Sequence, residues 1–241
     1  LFLDPAIREL APSFDGLVLY VDGIENSGSD GWSQSLLAAA QRRVQALPFA
    51  PAKHPHMVAW ASVYAKFGAR PKSYSNGCLA LAMREQLPSI NLLVDLYNSV
   101  ALEHMLPIGG EDWDTLASHL VRRRALGHEP FVANSSDAAP QFAEPGEPIW
   151  VDSAGVTTRR FNWRQAKRTR ITEGTRAAYF VLDAVSPYSR TQLETAASAL
   201  ARRIEERWPR ARMELADLAS VDSARAESVQ LGGIANSFSV S

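Results

Sequence analysis

Residues 87–112, LPSINLLVDLYNSVALEHMLPIGGED, constrain the fold more than any other stretch of the chain. Pro88 and a capping side chain, Ser89 or Asn91, open a helix by giving an orphan backbone N–H an acceptor. Leu93, Val94, Tyr97, Ala101 and His104 then recur at steps of three and four, so this helix buries one face. Asn91, Asp95 and Asn98 keep the same period on a second line, a pattern suited to a pocket wall. Pro107 ends the helix. Gly109-Gly110 is expected to be a bare-backbone turn leading into Glu111 and Asp112.

Around this stretch the chain alternates strand and helix signals. Strands are expected at 17–24 (LVLYVDGI), from near Leu120, at 177–185 (AAYFVLDAV) and at 213–218. PIWVD and GVTTRRFNW, joined through Ser153-Ala154-Gly155, read as a hairpin. Helices are expected from a Ser33 cap through Leu37, Ala40, Val44 and Leu47, over 57–67, and over 76–86. The clearest helix spans 191–208, with Thr191 and Glu194 as a capping box and Leu193, Ala197, Leu200, Ile204 and Trp208 as its apolar stripe. The whole reads as one α+β domain over 1–218 with a loose tail over 219–241. LFLDPAIREL, interrupted by Asp4, Arg8 and Glu9, is not expected to be a signal peptide. No apolar run is long enough for a membrane span.

Charge narrows the function classes. With 25 basic and 26 acidic residues the net charge is −1, so any attraction for nucleic acid must be local. One local concentration is GVTTRRFNWRQAKRTRIT, residues 155–172, where Arg159, Arg160, Arg164, Lys167, Arg168 and Arg170 surround Phe161 and Trp163 without an acid. Phosphate contacts and base stacking need those residue types, and a solvated strand end would also carry them. A second mixture, Lys66, Arg70 and Lys72 with Tyr64, Phe67 and Tyr74, has the same two readings, since cations also suit a helix C-terminus. Cys78, the sole cysteine, excludes an internal disulfide and a multi-cysteine zinc site, and fits a reducing cytoplasm. His54 and His56 sit in a proline-broken connector with no nearby carboxylate or thiol and read as surface loop. His104 reads as packed core; His119 is the other histidine considered as a base. No G-x-S-x-G elbow, phosphate-binding loop or H-E-x-x-H motif occurs, and no metal or cofactor is expected.

Three segments carry a resemblance. SINLLVDLYNSVALEHMLPIGGEDWD, KFGARPKSY (66–74) and the stretch from Asp152 to Thr172 resemble, in order, the motifs of the B3/B4 domain, the editing domain of the bacterial phenylalanyl-tRNA synthetase β subunit. They are still more similar to those of free-standing B3/B4 proteins, and the similarity runs from about residue 4 to 210. The resemblance implies layered mixed and antiparallel sheets with flanking helices, and a pocket between the helix of the 87–112 stretch and the strand at Gly155-Val156. It implies hydrolysis of a mischarged or noncanonical aromatic aminoacyl-tRNA by water, with no covalent intermediate. Asn98 matches the family's pocket asparagine. Tyr97 stands where the synthetases have threonine and Gly109 where they have histidine, and the acid of their G-G-E turn has no counterpart in RRFNWRQ. On this footing Asn98, Gly109, Gly110, Glu111 and Asn162 are the expected catalytic set, with the Gly109-Gly110 amides polarising the ester carbonyl. Tyr97, Arg160, Trp163 and Gln165 are expected to bind substrate. Lys66, Arg70, Lys72, Arg164, Lys167, Arg168 and Arg170 are expected to hold tRNA. A tRNA-binding module without catalysis is the alternative, and a small-molecule binder the third.

Overall fold

The computed structural model describes residues 1–69, 82–84, 87–134 and 139–220. In chain order the elements are β1 (Phe2–Leu3), α1 (Ala6–Leu10), β2 (Asp15–Asp22), α2 (Gly31–Gln45), α3 (Pro55–Lys66), α4 (Leu92–His104), β3 (Ile108–Asp112) and β4 (Val121–Arg124). There follow β5 (Pro130–Phe131), β6 (Gln141–Phe142), β7 (Pro148–Asp152), β8 (Gly155–Arg159), β9 (Arg164–Gln165), β10 (Ala177–Ala184), α5 (Arg190–Arg207), β11 (Arg212–Asp217) and β12 (Ala219–Ser220). The helix expected over 76–86 falls largely outside the described residues, as do Arg70, Lys72 and Tyr74.

The fold is the layered α+β arrangement. A four-stranded antiparallel sheet, ordered β11-β2-β10-β3, lies beside a six-stranded mixed sheet, ordered β12-β1-β4-β7-β8-β9. Apart from Asp183, β10 is apolar on both faces because both are covered. Ala178, Phe180, Leu182 and Ala184 pack towards α4 and α5, while Tyr179 and Val181 join α3, Trp150 and Phe161 between the sheets. This is the period-2 alternation of a strand serving two cores. The hairpin forms as β7 and β8, closed at Gly155 (φ +124°), where a Cβ would lie 2.7 Å from the Pro130 carbonyl oxygen. Glycine alone tolerates both conditions.

Several local expectations shift. Asn91 caps α4, accepting from the Val94 N–H at 3.0 Å, but α2 is capped by Asp30, with Ser33 completing its box. α5 starts earlier than expected, under a Ser189–Gln192 box, so Glu194 instead pairs with Arg190 one turn back. Gly109-Gly110 is no turn. Both glycines lie inside β3, drawn into the sheet by the long edge of β10, with Gly110 opposite Phe180 and Gly109 opposite Val181. α4 is buried nearly all round, because α2 packs along it: Asn91 bonds Asn26 and the Ile171 carbonyl, and Asp95 accepts from Ser33, Ser89 and the Ile90 N–H. The expected polar line therefore divides, and only Asn98 reaches a cavity. His104, at the last position of α4, is half-buried instead of fully packed.

His56 is a correction of another kind. It is 1% exposed, not on a surface loop, because Pro55 starts α3 early and carries it inward. Its Nε2 accepts from Trp60 Nε1 at 3.0 Å and the Val185 N–H at 3.3 Å, so its Nδ1 carries the proton donated to the Met105 carbonyl at 2.9 Å. Burial lowers its pKa to about 4 from the usual 6.5. The unfolded chain thus takes up this proton near pH 6.5 and the folded chain only near pH 4, so stability falls as pH drops through that window. The loss is expected to reach about 3 kcal/mol. Urea unfolding at several pH values should show a shallower acid limb in His56→Gln, and identical limbs in the two proteins would contradict this.

Candidate functional site

A cavity of about 340 Å³ opens between the two sheets beside the edge strand β3. α4 supplies Val94, Tyr97, Asn98 and Ala101, β3 supplies Ile108 to Glu111, and the segment after β8 supplies Asn162, Trp163 and Gln165. Two segments far apart in the chain therefore close on one space. That size sits at the small end of ligand pockets.

The glycines of β3 divide their tasks by strand alternation. A Cβ on Gly109 would meet nothing within 4 Å, whereas one on Gly110 would lie 2.8 Å from two Phe180 ring carbons and 3.0 Å from Ile171. Gly109 thus leaves room on the cavity side, and Gly110 admits the core. Their amides also differ. The Asp183 N–H donates to the Pro107 carbonyl at 3.0 Å, which fixes the ladder's alternation and spends the Gly109 amide on Val181. Gly110 turns its polar groups to the outer edge, where its carbonyl accepts from Gln165 Nε2 at 2.8 Å. Of the two amides expected to polarise a carbonyl, only that of Gly110 is placed for it.

Glu111 shares the Gly109 face and is 4% exposed. Its carboxylate accepts from Thr158 Oγ1 at 2.5 Å and from the Tyr179 hydroxyl. Burial pushes its pKa above the ordinary carboxylate range, and the Thr158, Tyr179 and Thr157 hydroxyls, with the Arg168 charge, oppose that rise. Burial and then the Glu111 charge raise Tyr179 in turn. Tyr97 is raised chiefly by burial, with Glu111 adding to it. The Asn98 side chain, 7% exposed, has no hydrogen bond to another described residue.

The cavity floor holds a group that sequence reasoning missed. Arg122 and Asp183, each 1% exposed, form a two-bond ion pair at 2.7 and 2.9 Å. The Arg122 guanidinium lies 4.4 Å from the Trp150 ring centroid, so it is clamped by an aromatic as well. Asn162 Nδ2 donates to Asp183 at 3.0 Å, and its Oδ1 accepts from the Tyr64 hydroxyl at 3.1 Å. The Tyr64 hydroxyl also reaches the Arg160 carbonyl at 3.0 Å, steadying consecutive left-handed residues, Arg160 (φ 54°) and Phe161 (φ 61°). That backbone reversal turns Asn162 and Trp163 into the cavity. The one hint in the sequence was an acid inside an otherwise apolar strand, Asp183 in AAYFVLDAV, which calls for a buried cation somewhere else.

The basic segment does not form an open cationic face. Acids distant in sequence meet it: Arg159 is buried on Glu147, Arg160 reaches Glu147 and Glu144, and Arg168 pairs with Asp152. Arg160 lies outside the cavity lining and stacks over Trp163, 5.2 Å from its ring centroid. Arg164 lies over Phe131 at 5.5 Å. Arg170 donates to the Ala133 carbonyl at 2.6 Å and Lys66 to the Leu10 carbonyl at 2.8 Å, and both are exposed, as is Lys167. Exposed Arg84, which sequence reasoning passed over, lines the cavity mouth. Among the described residues no three His, Cys, Asp or Glu side chains cluster as metal ligands, and no helix is long and apolar enough to cross a membrane.

Comparison with known proteins gives one family and a structural likeness. The profile of the B3/4 domain matches residues 59–218. No curated protein matches the sequence. Among solved structures, the chain is similar to an N-terminal fragment of the phenylalanyl-tRNA synthetase beta-subunit from Pyrococcus horikoshii, with a TM-score of 0.51 and 12% identity. The alignment covers 92% of this chain and 52% of that one, so this chain spans about half the length of the fragment. At that identity the likeness concerns the fold.

Proposed function

The chain belongs to the B3/4 domain family, and from that premise we propose that it is a trans-acting aminoacyl-tRNA deacylase, releasing a mischarged or noncanonical aromatic amino acid from tRNA. The observation that carries the reading is the shared cavity: Asn98, Gly109, Gly110 and Glu111 from one segment face Asn162, Trp163 and Gln165 from the other. Its walls combine apolar side chains such as Val94, Ala101 and Val181 with a few fixed polar groups, which suits one amino-acid side chain. The small volume supports a single aminoacyl group inside, with the tRNA end at the mouth beside Arg84.

In this reading the ester carbonyl is polarised by the Gly110 N–H at the strand edge, a donor that needs no reorganisation as charge develops on oxygen. The attacking water is held by the unengaged Asn98 amide and a hydroxyl of the terminal ribose. Glu111, with a hydroxyl donor on each oxygen, is held in place and does not act as a mobile base. Asn162 and Gln165 are spent on Asp183 and Gly110 and keep the walls in register. Arg164 and Lys167 remain the candidates for phosphate contacts.

The test is release of amino acid from a panel of charged tRNAs. Hydrolysis well above the buffer rate for an aromatic misacylated tRNA is the expected result. Binding without acceleration on any member would leave a tRNA-binding module in place of the enzyme. Arg164→Ala is expected to weaken tRNA association and flatten its salt dependence by about one ion's worth. Unchanged affinity at moderate salt would remove Arg164 from the tRNA contacts.

A further inference from the structure

We propose that the cavity selects ligands carrying a primary ammonium group, held against the Glu111 carboxylate. The inference rests on the deacylase reading only in identifying that ammonium with the free α-amino group of the esterified amino acid.

A charge inventory around the cavity leads to this. Buried Asp183, Asp152, Glu147 and Glu129 each have an arginine: Arg122, Arg168, Arg159 and Arg123 respectively. Buried Asp95 and Asp112 are met by hydroxyls and backbone N–H groups, and neither lines the cavity. Glu111 does line it, is equally buried, and has no ion-pair partner among the described residues. Arg122 is already neutralised by both oxygens of Asp183, and Arg84 is exposed at the mouth. The enclosed surface therefore carries one acid in excess. A buried charge persists when it is paired or fully hydrogen-bonded. A carboxylate offers about four lone-pair sites; Thr158 and Tyr179 occupy two, and the Thr157 hydroxyl adds a third contact. What remains wants an N–H donor with positive charge. An ammonium supplies both, while the apolar wall of Val94, Ala101, Ile108 and Val181 accepts the carbon skeleton attached to it. N-acylated aminoacyl groups, such as a nascent peptide on its tRNA, would be refused.

Tyramine and N-acetyltyramine test this without tRNA, since they share the ring and hydroxyl and differ in the charged nitrogen. Titration can be followed by the fluorescence of Trp150 and Trp163, both in the cavity lining. Tyramine is expected to bind at least about tenfold tighter, and Glu111→Gln, an isostere without the charge, to erase the difference. Equal binding of the two compounds, no binding of either, or a preference that survives in Glu111→Gln would each overturn the proposal. The comparison on the parent protein alone is decisive if the variant folds poorly. Deacylation of charged tRNA without the tyramine preference would leave the enzyme reading and remove this one; the preference without deacylation would do the reverse.

Discussion

Gly109→Phe is expected to cut hydrolysis of charged tRNA by about a hundredfold or more while leaving the fold intact. The space above Gly109 is open, so a ring there projects into the cavity where the aminoacyl group would sit. Gly110→Ala, one position along, should behave in the opposite way. Its Cβ would enter 2.8 Å from the ring of fully buried Phe180, which cannot retreat, and overpacking of that kind costs about 1–3 kcal/mol. Thermal unfolding and single-turnover deacylation on both variants make the check. A stable, active Gly109→Phe protein would mean that the reaction does not use this cavity.

The largest loss of stability should follow Asp183→Ala. The substitution leaves Arg122 buried and uncompensated between Trp150, Phe14 and Phe161 and removes the partner of Asn162. Stranding one member of such a pair costs about 3–5 kcal/mol. Replacing both by apolar residues, Arg122→Met with Asp183→Leu, should recover much of that, since the pair's desolvation offsets most of its attraction. Urea midpoints measured at constant m-value separate the cases. A double variant no more stable than Asp183→Ala would show that Arg122 contributes through its aromatic contacts instead of its charge.

The contrast between the two glycines also shows what the sequence can carry. Gly109-Gly110 marks a place where backbone comes close to something, and it does. Whether that place is a turn or a strand depends on β10, almost seventy residues later, whose edge pulls the segment into the sheet. The cap of α4, narrowed to Ser89 or Asn91, the hairpin before Gly155 and the buried stripe of α5 were legible because each is set by neighbours within one turn of the backbone. The two misplaced caps, Ser33 and Thr191, are shifts of two or three residues between equally good hydroxyl or carboxylate candidates. His56 was misread because its partners, Met105 and Val185, lie on other elements. The run of arginines was read as open charge for the same reason. Its counter-ions, Glu147 and Asp152, sit on or beside β7 and meet the segment only when β7 and β8 pair.

By itself, then, the sequence determined the α+β alternation, the amphipathic faces and the two segments worth watching, because hydrophobic period and turn chemistry are local properties of a chain. Which residues of those segments look at each other was decided by tertiary structure alone. Sheet register turns Gly109 and Glu111 to one side and Gly110 to the other, and helix packing spends Asn91 and Asp95 while leaving Asn98 unengaged. Charge compensation across the fold draws Arg159, Arg160 and Arg168 into ion pairs and leaves Glu111 as the acid that faces the cavity without one among the described residues.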